Sequence, residues 1–374
     1  MKKKAAAPAK KKKAASTRAK KKQAAVSKGK AFKLSDQARR EAMLRRVSWR
    51  TRAEGKLTFP AVPGLVDHYV DVLSTMFKAL GRPFAKGGVE GCRAILAEKI
   101  DWAFSRSHNA WIEVEWKSSS YPPMSVSYTV TGWQKSIEDA YAEWVKVREP
   151  PLFGKNPDAV VVELAKTLGP PGEVTVLDAG AGTGRNALPL ARAGYVVDAL
   201  ELAPALVAQT EKAALETQTD LRSVCGSYYD RALKLPRERY RMVVLAELCS
   251  HWRGQKDLRN VLERLSELVE PGGVGVFNMF LALDGYRPTD AEREFSQIGW
   301  CPLYTRADLA QACAGLPLTL VADVSGAEYE KAHGPQGDWP PTGWFERWAS
   351  GSEVFDLPPG QSQFEMRWLT FKRT

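Results

Sequence analysis

The apolar residues of this chain change their spacing twice, and the changes divide it into three stretches. Residues 1–34 have no hydrophobic period. They are lysine and alanine with scattered Pro, Ser and Gly, too poor in large apolar side chains to bury a core, and are expected to be disordered. From 35 to 150 the pattern is mixed. Positions 35–46 read as a basic amphipathic helix, 65–80 as a second with Leu65, Tyr69, Val72, Leu73 and Met76 on one face, and 89–104 as a third. Residues 111–116 and 124–130 alternate as strands joined through Ser-Ser-Ser-Tyr-Pro-Pro, a hairpin, and 137–148 is helical up to Pro150-Pro151.

Beyond 150 short apolar runs alternate with helical patterns. Val174, Val176 and Leu177 suit a buried parallel strand, and Ala187, Leu188, Leu190, Ala191 and Ala193 form the face of a helix closed by Gly194. A second strand, 195–200, ends at Glu201. The helix over 203–215 carries Pro204 in its first turn, where a missing N–H is harmless. Strands follow at 221–225 and 240–245, then an amphipathic helix with apolar residues at 258, 261, 262, 265, 268 and 269. A turn at Glu270-Pro271-Gly272-Gly273 leads to a fifth strand, 274–280. Segments 318–323 and 364–371 supply a sixth and a seventh, the last as an antiparallel insertion. The expected fold is α/β: a doubly wound seven-stranded sheet over 151–374, an N-terminal α+β cap over 35–150, and a disordered basic tail over 1–34.

Composition sharpens the division. The formal charge of +11 is carried by the tail, where residues 1–34 hold thirteen lysines, one arginine and no acid; the remainder is close to neutral. Clustered lysines without aromatics bind phosphate backbones as point charges, so non-specific nucleic acid is one candidate partner of 1–34; a solubilising extension is the alternative. No apolar h-region follows the lysines and no long apolar span is present, which argues against a secretory signal or a membrane protein. Five cysteines form no C-x-x-C pair, fitting a reducing cytoplasm, and four scattered histidines give no legible metal site.

The chemical signal lies in Val176-Leu-Asp178-Ala-Gly180-Ala-Gly182-Thr-Gly184-Arg185-Asn186, between the first strand of the sheet and the next helix. Alternating glycines at a strand's carboxyl end bring backbone close to a nucleoside ligand. The dinucleotide fingerprint is G-x-G-x-x-G; here the spacing is G-x-G-x-G, and Arg185 falls where the last glycine belongs. A plain glycine-rich β-α turn is the alternative. Glu201 weighs against it, because an acid at the tip of the second strand can accept hydrogen bonds from both hydroxyls of a ribose. Leu202 offers an apolar face to an adenine ring.

These residues resemble the class I S-adenosylmethionine-dependent methyltransferases, whose first motif is similar to VLDxGxGxG and whose second strand ends in an acid. Pro271-Gly-Gly before the fifth strand is a further mark of that family. The run Gly184-Arg185-Asn186-Ala187-Leu188, with Gly194, Tyr195 and Val197, resembles the tellurite-resistance type. The resemblance implies a Rossmann-like methyltransferase sheet and S-adenosyl-L-methionine as cofactor. It implies that Asp178 orients the methionine amino group and that the amides of Gly180 to Gly184, Gly182 among them, line the cofactor's middle, beside Arg185 and Asn186. Where the family often places an adenine-binding Asp this chain has Gly226-Ser227-Tyr228; Ser227 can accept one hydrogen bond and Tyr228 can stack on the ring. The resemblance also puts the 137–148 helix over the cofactor, making Trp144 and Arg148 candidate pocket residues, with plain packing as the alternative.

Methyl transfer from a sulfonium is an in-line displacement served by alignment and charge placement, with a base where the acceptor must lose a proton. The fourth strand runs into Ala246-Glu247-Leu-Cys249-Ser-His251-Trp252. Glu247 and His251 are the candidate general bases; the alternatives are a cofactor-positioning role for Glu247 and a backbone-bonded helix start for His251. The sequence there lacks the Asp/Asn/Ser-Pro-Pro-aromatic pattern of exocyclic base methylation. Cys249 lacks the neighbours of a pyrimidine nucleophile and reads as a small core residue. Tyr329-Glu-Lys-Ala-His333 and the aromatic run from Asp338 to Trp348 suit either a lid over an apolar acceptor or the filling of a groove against the sheet. The expected function is methyl transfer to a small or unidentified acceptor. The other reading is a nucleic-acid-associated protein working through its tail, with the methyltransferase fold inactive or acting on nucleic acid.

Overall fold

The computed structural model describes residues 34–119, 125–149, 151–358 and 360–374. The basic tail expected at 1–34 lies outside the described residues except for Leu34, as does Met124 of the expected hairpin. Among the described residues, those up to Ser48 and those from Trp49 to Thr374 fall into two units. In the first, Ser35 Oγ accepts the Ala38 amide at 3.2 Å and starts α1 (Asp36–Arg50), which buries none of its residues.

The second unit begins with β1 (Glu54–Pro60), α2 (Val66–Ala79), α3 (Gly88–Phe104), β2 (Ala110–Ser118), β3 (Val126–Gln134) and α4 (Ile137–Val147). The three strands make an antiparallel sheet in that order. The period-2 pattern of β2 turns Ile112 and Val114 onto Tyr69, Leu73 and Phe77 of α2 and Leu96 and Ile100 of α3. Glu113 and Glu115 face the other way, where Lys56 bridges both at 2.9 and 3.0 Å. β1 has no counterpart in the expected pattern, because Gly55 and Lys56 interrupt its short apolar alternation.

The larger sheet collects α5 (Ala159–Lys166), β4 (Thr175–Ala179), α6 (Ala187–Arg192), β5 (Val196–Glu201), α7 (Pro204–Glu216), β6 (Arg222–Cys225), β7 (Tyr240–Leu245), α8 (Gln255–Leu268) and β8 (Val269–Ala282). It continues with α9 (Asp290–Ile298), β9 (Leu303–Tyr304), α10 (Arg306–Cys313), β10 (Leu318–Ser325), α11 (Gly326–His333), α12 (Phe345–Ala349) and β11 (Phe364–Arg373). The strand order is β10-β11-β8-β7-β4-β5-β6. β6, β5, β4, β7 and β8 run parallel, and β11 is antiparallel to both its neighbours, as the expected insertion requires. The fold is the doubly wound, Rossmann-like α/β sheet. An eighth strand was not expected: the two residues of β9 pair with β8 beyond its partner β7.

Pro271-Gly-Gly does not turn the chain ahead of the fifth strand. Tyr240 pairs with Val269 and Met242 with Val274, so residues 270–273 bulge out of a ladder that starts earlier than expected, with Gly272 at φ 79°. β7 sends Val243 and Leu245 to one face and Met242 and Val244 to the other, each into its own core. α8 lays Leu258, Val261, Leu262, Leu265 and Leu268 on the first of these faces, as its spacing indicates; each such burial is worth about 1.5–3 kcal/mol. The small sheet's layer meets the large one through the Gly64 amide on Glu294 Oε2 at 2.6 Å and through Arg253 stacked 4.5 Å over Phe104. No helix among the described residues is long and apolar enough to cross a membrane.

Candidate active site

β4 pairs with β5 on one side and β7 on the other, and the chain winds away from it in both directions. The crevice at its carboxyl end is where open α/β sheets bind ligands. A cavity of about 340 Å³ lies there, walled by the residues after β4, β5, β6 and β7 and covered by Ile137, Glu138 and Tyr141 of α4 together with Phe153.

The glycine loop shapes this cavity differently from the expectation. Gly180, Gly182 and Gly184 sit at φ 79°, 57° and 83°. Their amides are all committed inside the protein: Gly180 N to Leu200 O at 2.8 Å, Gly182 N to a Glu201 carboxylate oxygen at 2.9 Å, and Gly184 N to Ala181 O at 2.8 Å. At these three positions the loop therefore contributes shape and the absence of side chains, not free donors. Gly184 is a correction on a second count, since it does not line the cavity. A Cβ there would meet Leu188 and Thr210 at 2.9–3.0 Å, so its role is close packing of the loop on α6 and α7.

Asp178 is buried, and its Oδ2 has no hydrogen-bond partner among the described residues. Burial pushes its carboxyl up to about 7, against the pull of Arg185 and the Ala187 amide. Arg185 lines the cavity, but its guanidinium is held between Asp158 at 2.5 Å and Glu247 at 2.9 Å. Asn186 exchanges two bonds with Asp158, Nδ2–H to Oδ2 at 2.9 Å and Oδ1 from the Asp158 amide at 2.8 Å. Glu330 of α11 accepts the Ala159 amide at 2.7 Å at the start of α5. Asp158 escaped the sequence reading because it reaches Arg185 only through the fold, and Glu330, in the run read as a lid or groove filler, instead holds the start of α5.

Glu247 closes β7 with a left-handed backbone, φ 59°, worth roughly 1–3 kcal/mol of strain for a residue with a side chain. Asn278 of β8 holds it there, accepting the Glu247 amide at 2.7 Å. Burial pushes the Glu247 carboxyl above its ordinary range, with Arg185 opposing. With Arg185 as its partner, Glu247 stands as a positioning anion more than as a free base.

At the opposite wall Glu201 is buried, and each of its oxygens holds a backbone amide, Gly182 and Ala203. A carboxylate has about four acceptor sites, so two remain for a ligand. Leu202 and Ser227 line the same end, and the Ser227 hydroxyl accepts the Tyr229 amide at 3.1 Å. Tyr228 lines the cavity as well, but little of its ring is free to stack. It is buried in the core, its hydroxyl donates to Val261 O at 3.2 Å, and Arg264 sits over its ring.

His251 ends the short turn Leu248–His251 after Glu247 and lines the cavity. Its Nε2 bonds the Tyr141 hydroxyl at 2.9 Å, a side-chain partner and not the backbone bond of a helix start. Burial lowers the imidazole to about 3 and keeps it neutral. Tyr141 was not foreseen, although it lies in the helix expected above the cofactor. That helix is α4, but Trp144 and Arg148 do not line the cavity; they pack on one another at 4.1 Å and Trp144 faces Trp300. The aromatic run after Asp338 also lies elsewhere: Phe345 and Trp348 are buried, Trp348 against Phe280, so these rings fill a groove against the sheet. Cys249 is buried with its thiol pushed up by burial, as a core residue would be. Among the described residues no group of three or more His, Cys, Asp or Glu is arranged to hold a metal.

Residues 176–273 match a family profile described as "Methyltransferase domain". A ubiquinone biosynthesis O-methyltransferase from Vibrio atlanticus is 33% identical over 141 residues, covering 37% of this chain and 57% of that protein. A chloroplastic magnesium protoporphyrin IX methyltransferase from Arabidopsis thaliana is 30% identical over 149 residues, covering 34% and 46%. The chain thus spans about half the length of the curated relatives it matches. Among solved structures, geranyl diphosphate C-methyltransferase from Streptomyces coelicolor A3(2), in complex with Mg2+, geranyl diphosphate and S-adenosyl-L-homocysteine, is 18% identical with a TM-score of 0.44, covering 58% of this chain and 77% of that one. A TehB-like SAM-dependent methyltransferase from Corynebacterium glutamicum is 14% identical with a TM-score of 0.38, covering 63% and 98%.

Proposed function

We propose that this chain is an S-adenosyl-L-methionine-dependent methyltransferase acting on a small-molecule acceptor, with 35–150 as its cap and 151–374 as its catalytic domain. The observation that carries the reading is the unpaired, buried Asp178 Oδ2 inside a nucleoside-sized cavity whose other wall carries Glu201. An orphaned buried carboxylate oxygen costs about 1–3 kcal/mol and is offset by a cationic ligand. The α-ammonium of a methionine moiety fits Asp178, and the two remaining acceptor sites of Glu201 fit a ribose diol beside Leu202. When bound, the cofactor supplies a methyl group on a sulfonium, already activated for displacement.

The protein's own part is alignment. Gly180 and Gly182 keep side chains out of the cavity, Asp178 and Glu201 fix the two ends of the ligand, and Arg185 with Asn278 holds Glu247 in its strained conformation. α4 and Phe153 cover the site and exclude water. Tyr141 and His251 form the polar wall, where an acceptor would be oriented and relieved of a proton. The likeness to the tellurite-resistance type belongs to this reading, so tellurium and selenium oxyanions stand beside hydroxylated small molecules among candidate acceptors. The test is transfer of a labelled methyl group from S-adenosyl-L-methionine across such a panel. The reading expects at least one labelled product, lost in Asp178→Asn; a product formed equally well by Asp178→Asn would contradict it.

A further inference from the structure

His108 lies in the loop between α3 and β2, on the small sheet's side of the molecule, yet its ring centroid is 5.8 Å from that of His251. We propose that His108 is the positioning partner of His251: its Nε2 receives the Nδ1 proton of His251, so that Tyr141, His251 and His108 form one chain leading a proton away from a neutral hydroxyl acceptor. This rests on the methyltransferase reading above.

Two nitrogens carry the argument. With the Tyr141 hydroxyl donating to His251 Nε2, the neutral His251 ring bears its proton on Nδ1. That Nδ1 is buried without a partner, and so is His108 Nε2. Each orphan costs about 1–3 kcal/mol, and the two belong to adjacent rings. Imidazoles joined by a direct N–H···N bond have centroids about 5 Å apart, given an N···N separation of about 3 Å. A closure of less than about 1 Å brings the two rings to the spacing of such a bond, the kind of tightening that catalytic contacts undergo when ligand binds.

The surroundings hold His108 in place. Ser107 Oγ donates to Lys135 O at 3.0 Å and accepts the Asn109 amide at 3.0 Å, which pins the loop to the end of β3. Trp300 packs edge-on against both imidazoles, at 4.5 Å from His108 and 5.5 Å from His251, and does so from a left-handed backbone at φ 59° that a tryptophan rarely adopts. Arg253, paired with Asp257 through its backbone amide and with Gln297 through Nε, is the cation near His108.

With the cofactor bound, its sulfonium would supply the methyl group that replaces the proton on the acceptor oxygen, sulfur keeping the electron pair of the S–CH3 bond. The acceptor proton passes to Tyr141 Oη as the Tyr141 proton moves to His251 Nε2 and the Nδ1 proton moves to His108 Nε2; the His108 imidazolium then gives up the proton on its other nitrogen, Nδ1. Positive charge is lost at sulfur as it appears on imidazole, so the total charge of the site is unchanged until the proton departs. Both rings are neutral beforehand, which avoids repulsion of a sulfonium.

The test is long-range 1H–15N spectroscopy of the full chain, histidine-labelled and saturated with S-adenosyl-L-homocysteine, with affinity measured on the same samples. The expected result is His251 protonated on Nδ1, with that proton protected from exchange. His108→Phe should lose the protection at an affinity within about twofold, one tenfold step being 1.4 kcal/mol, and His108→Gln should restore it through its amide oxygen. Tyr141→Phe, which leaves His108 intact, should release the Nδ1 tautomer. Protection indifferent to His108→Phe, His251 protonated on Nε2, or a tautomer unmoved by Tyr141→Phe would overturn the inference. Absence of homocysteine-ligand binding in the wild type would instead overturn the cofactor reading beneath it.

Discussion

The Arg185 guanidinium lies 2.9 Å from the Glu247 carboxylate, joining the residue that replaces the last fingerprint glycine to the residue two places beyond β7. The second arm of the guanidinium reaches Asp158 at 2.5 Å, and all three side chains are largely buried. One cation thus ties the loop after β4, the end of β7 and the start of α5 into a single wall of the cavity.

Removing that cation leaves two carboxylates buried and uncompensated. Arg185→Ala is expected to lower the unfolding free energy by about 3–5 kcal/mol in urea titration. Arg185→Lys should recover only part of the loss, because a point charge cannot serve two carboxylates as a planar fork does. A change of less than about 1 kcal/mol in Arg185→Ala would mean that the network is not closed in solution.

Asp178 makes stability and binding depend on pH in opposite ways. Its folded pKa of about 7 lies above the ordinary 3.8, so the folded state holds this proton more tightly. The group's contribution is fully present below about pH 4 and is lost as pH rises through 7, at most about 4 kcal/mol. The stability of the ligand-free wild type relative to Asp178→Asn should therefore decline between pH 4 and 8. Affinity for S-adenosyl-L-methionine should rise over the pH 6–8 part of that range, as the carboxylate ionises to meet an ammonium. A wild-type minus variant difference that is flat with pH would refute the assignment.

The glycines of the loop separate by function. Gly184→Val places a branched side chain at φ 83° and against Leu188 and Thr210, so it should unfold the protein at lower urea, by more than about 1 kcal/mol. Gly182→Arg projects toward Phe153 and into the cavity, and should abolish ligand binding while costing less stability. The reverse ranking would restore the expectation that Gly184 faces the ligand.

Tyr228→Phe removes a hydroxyl that donates to Val261 O and leaves the ring in the core. It should cost about 1 kcal/mol of stability and leave ligand affinity unchanged. A tenfold weaker affinity would give the Tyr228 hydroxyl a part in holding the ligand.

The lysine-rich segment is testable without reference to the folded units. Deleting residues 1–34 should weaken binding of duplex DNA and flatten its dependence on salt, since counterion release scales with the phosphates neutralised. Equal affinity and slope in full-length and truncated protein would leave the segment as a solubilising extension.

The sheet was legible because its strands are near-continuous apolar runs separated by helical periods, which is what burial on both faces demands of β4, β5, β7 and β8. β1 was not, since Gly55, Lys56 and Thr58 break its alternation, and β9 is too short to leave a pattern. The site divides along the same line. Asp178 and Glu201 follow from strand ends, a local feature. The commitment of the loop amides, the burial of Tyr228 and the pairing of Arg185 depend on contacts between elements far apart in the chain. Tyr141 and His251 are 110 residues apart, and no spacing rule brings them together.

On the proposed function, the crevice at β4 takes S-adenosyl-L-methionine and not a dinucleotide. Calorimetric titration of the full chain with S-adenosyl-L-methionine and, separately, with NAD tests it most directly. Saturable binding of one S-adenosyl-L-methionine per chain is expected, lost in Gly182→Arg and weakened in Asp178→Asn and Glu201→Ala, with no heat of binding from NAD. Binding of NAD, or a wild type that does not bind S-adenosyl-L-methionine, would contradict it.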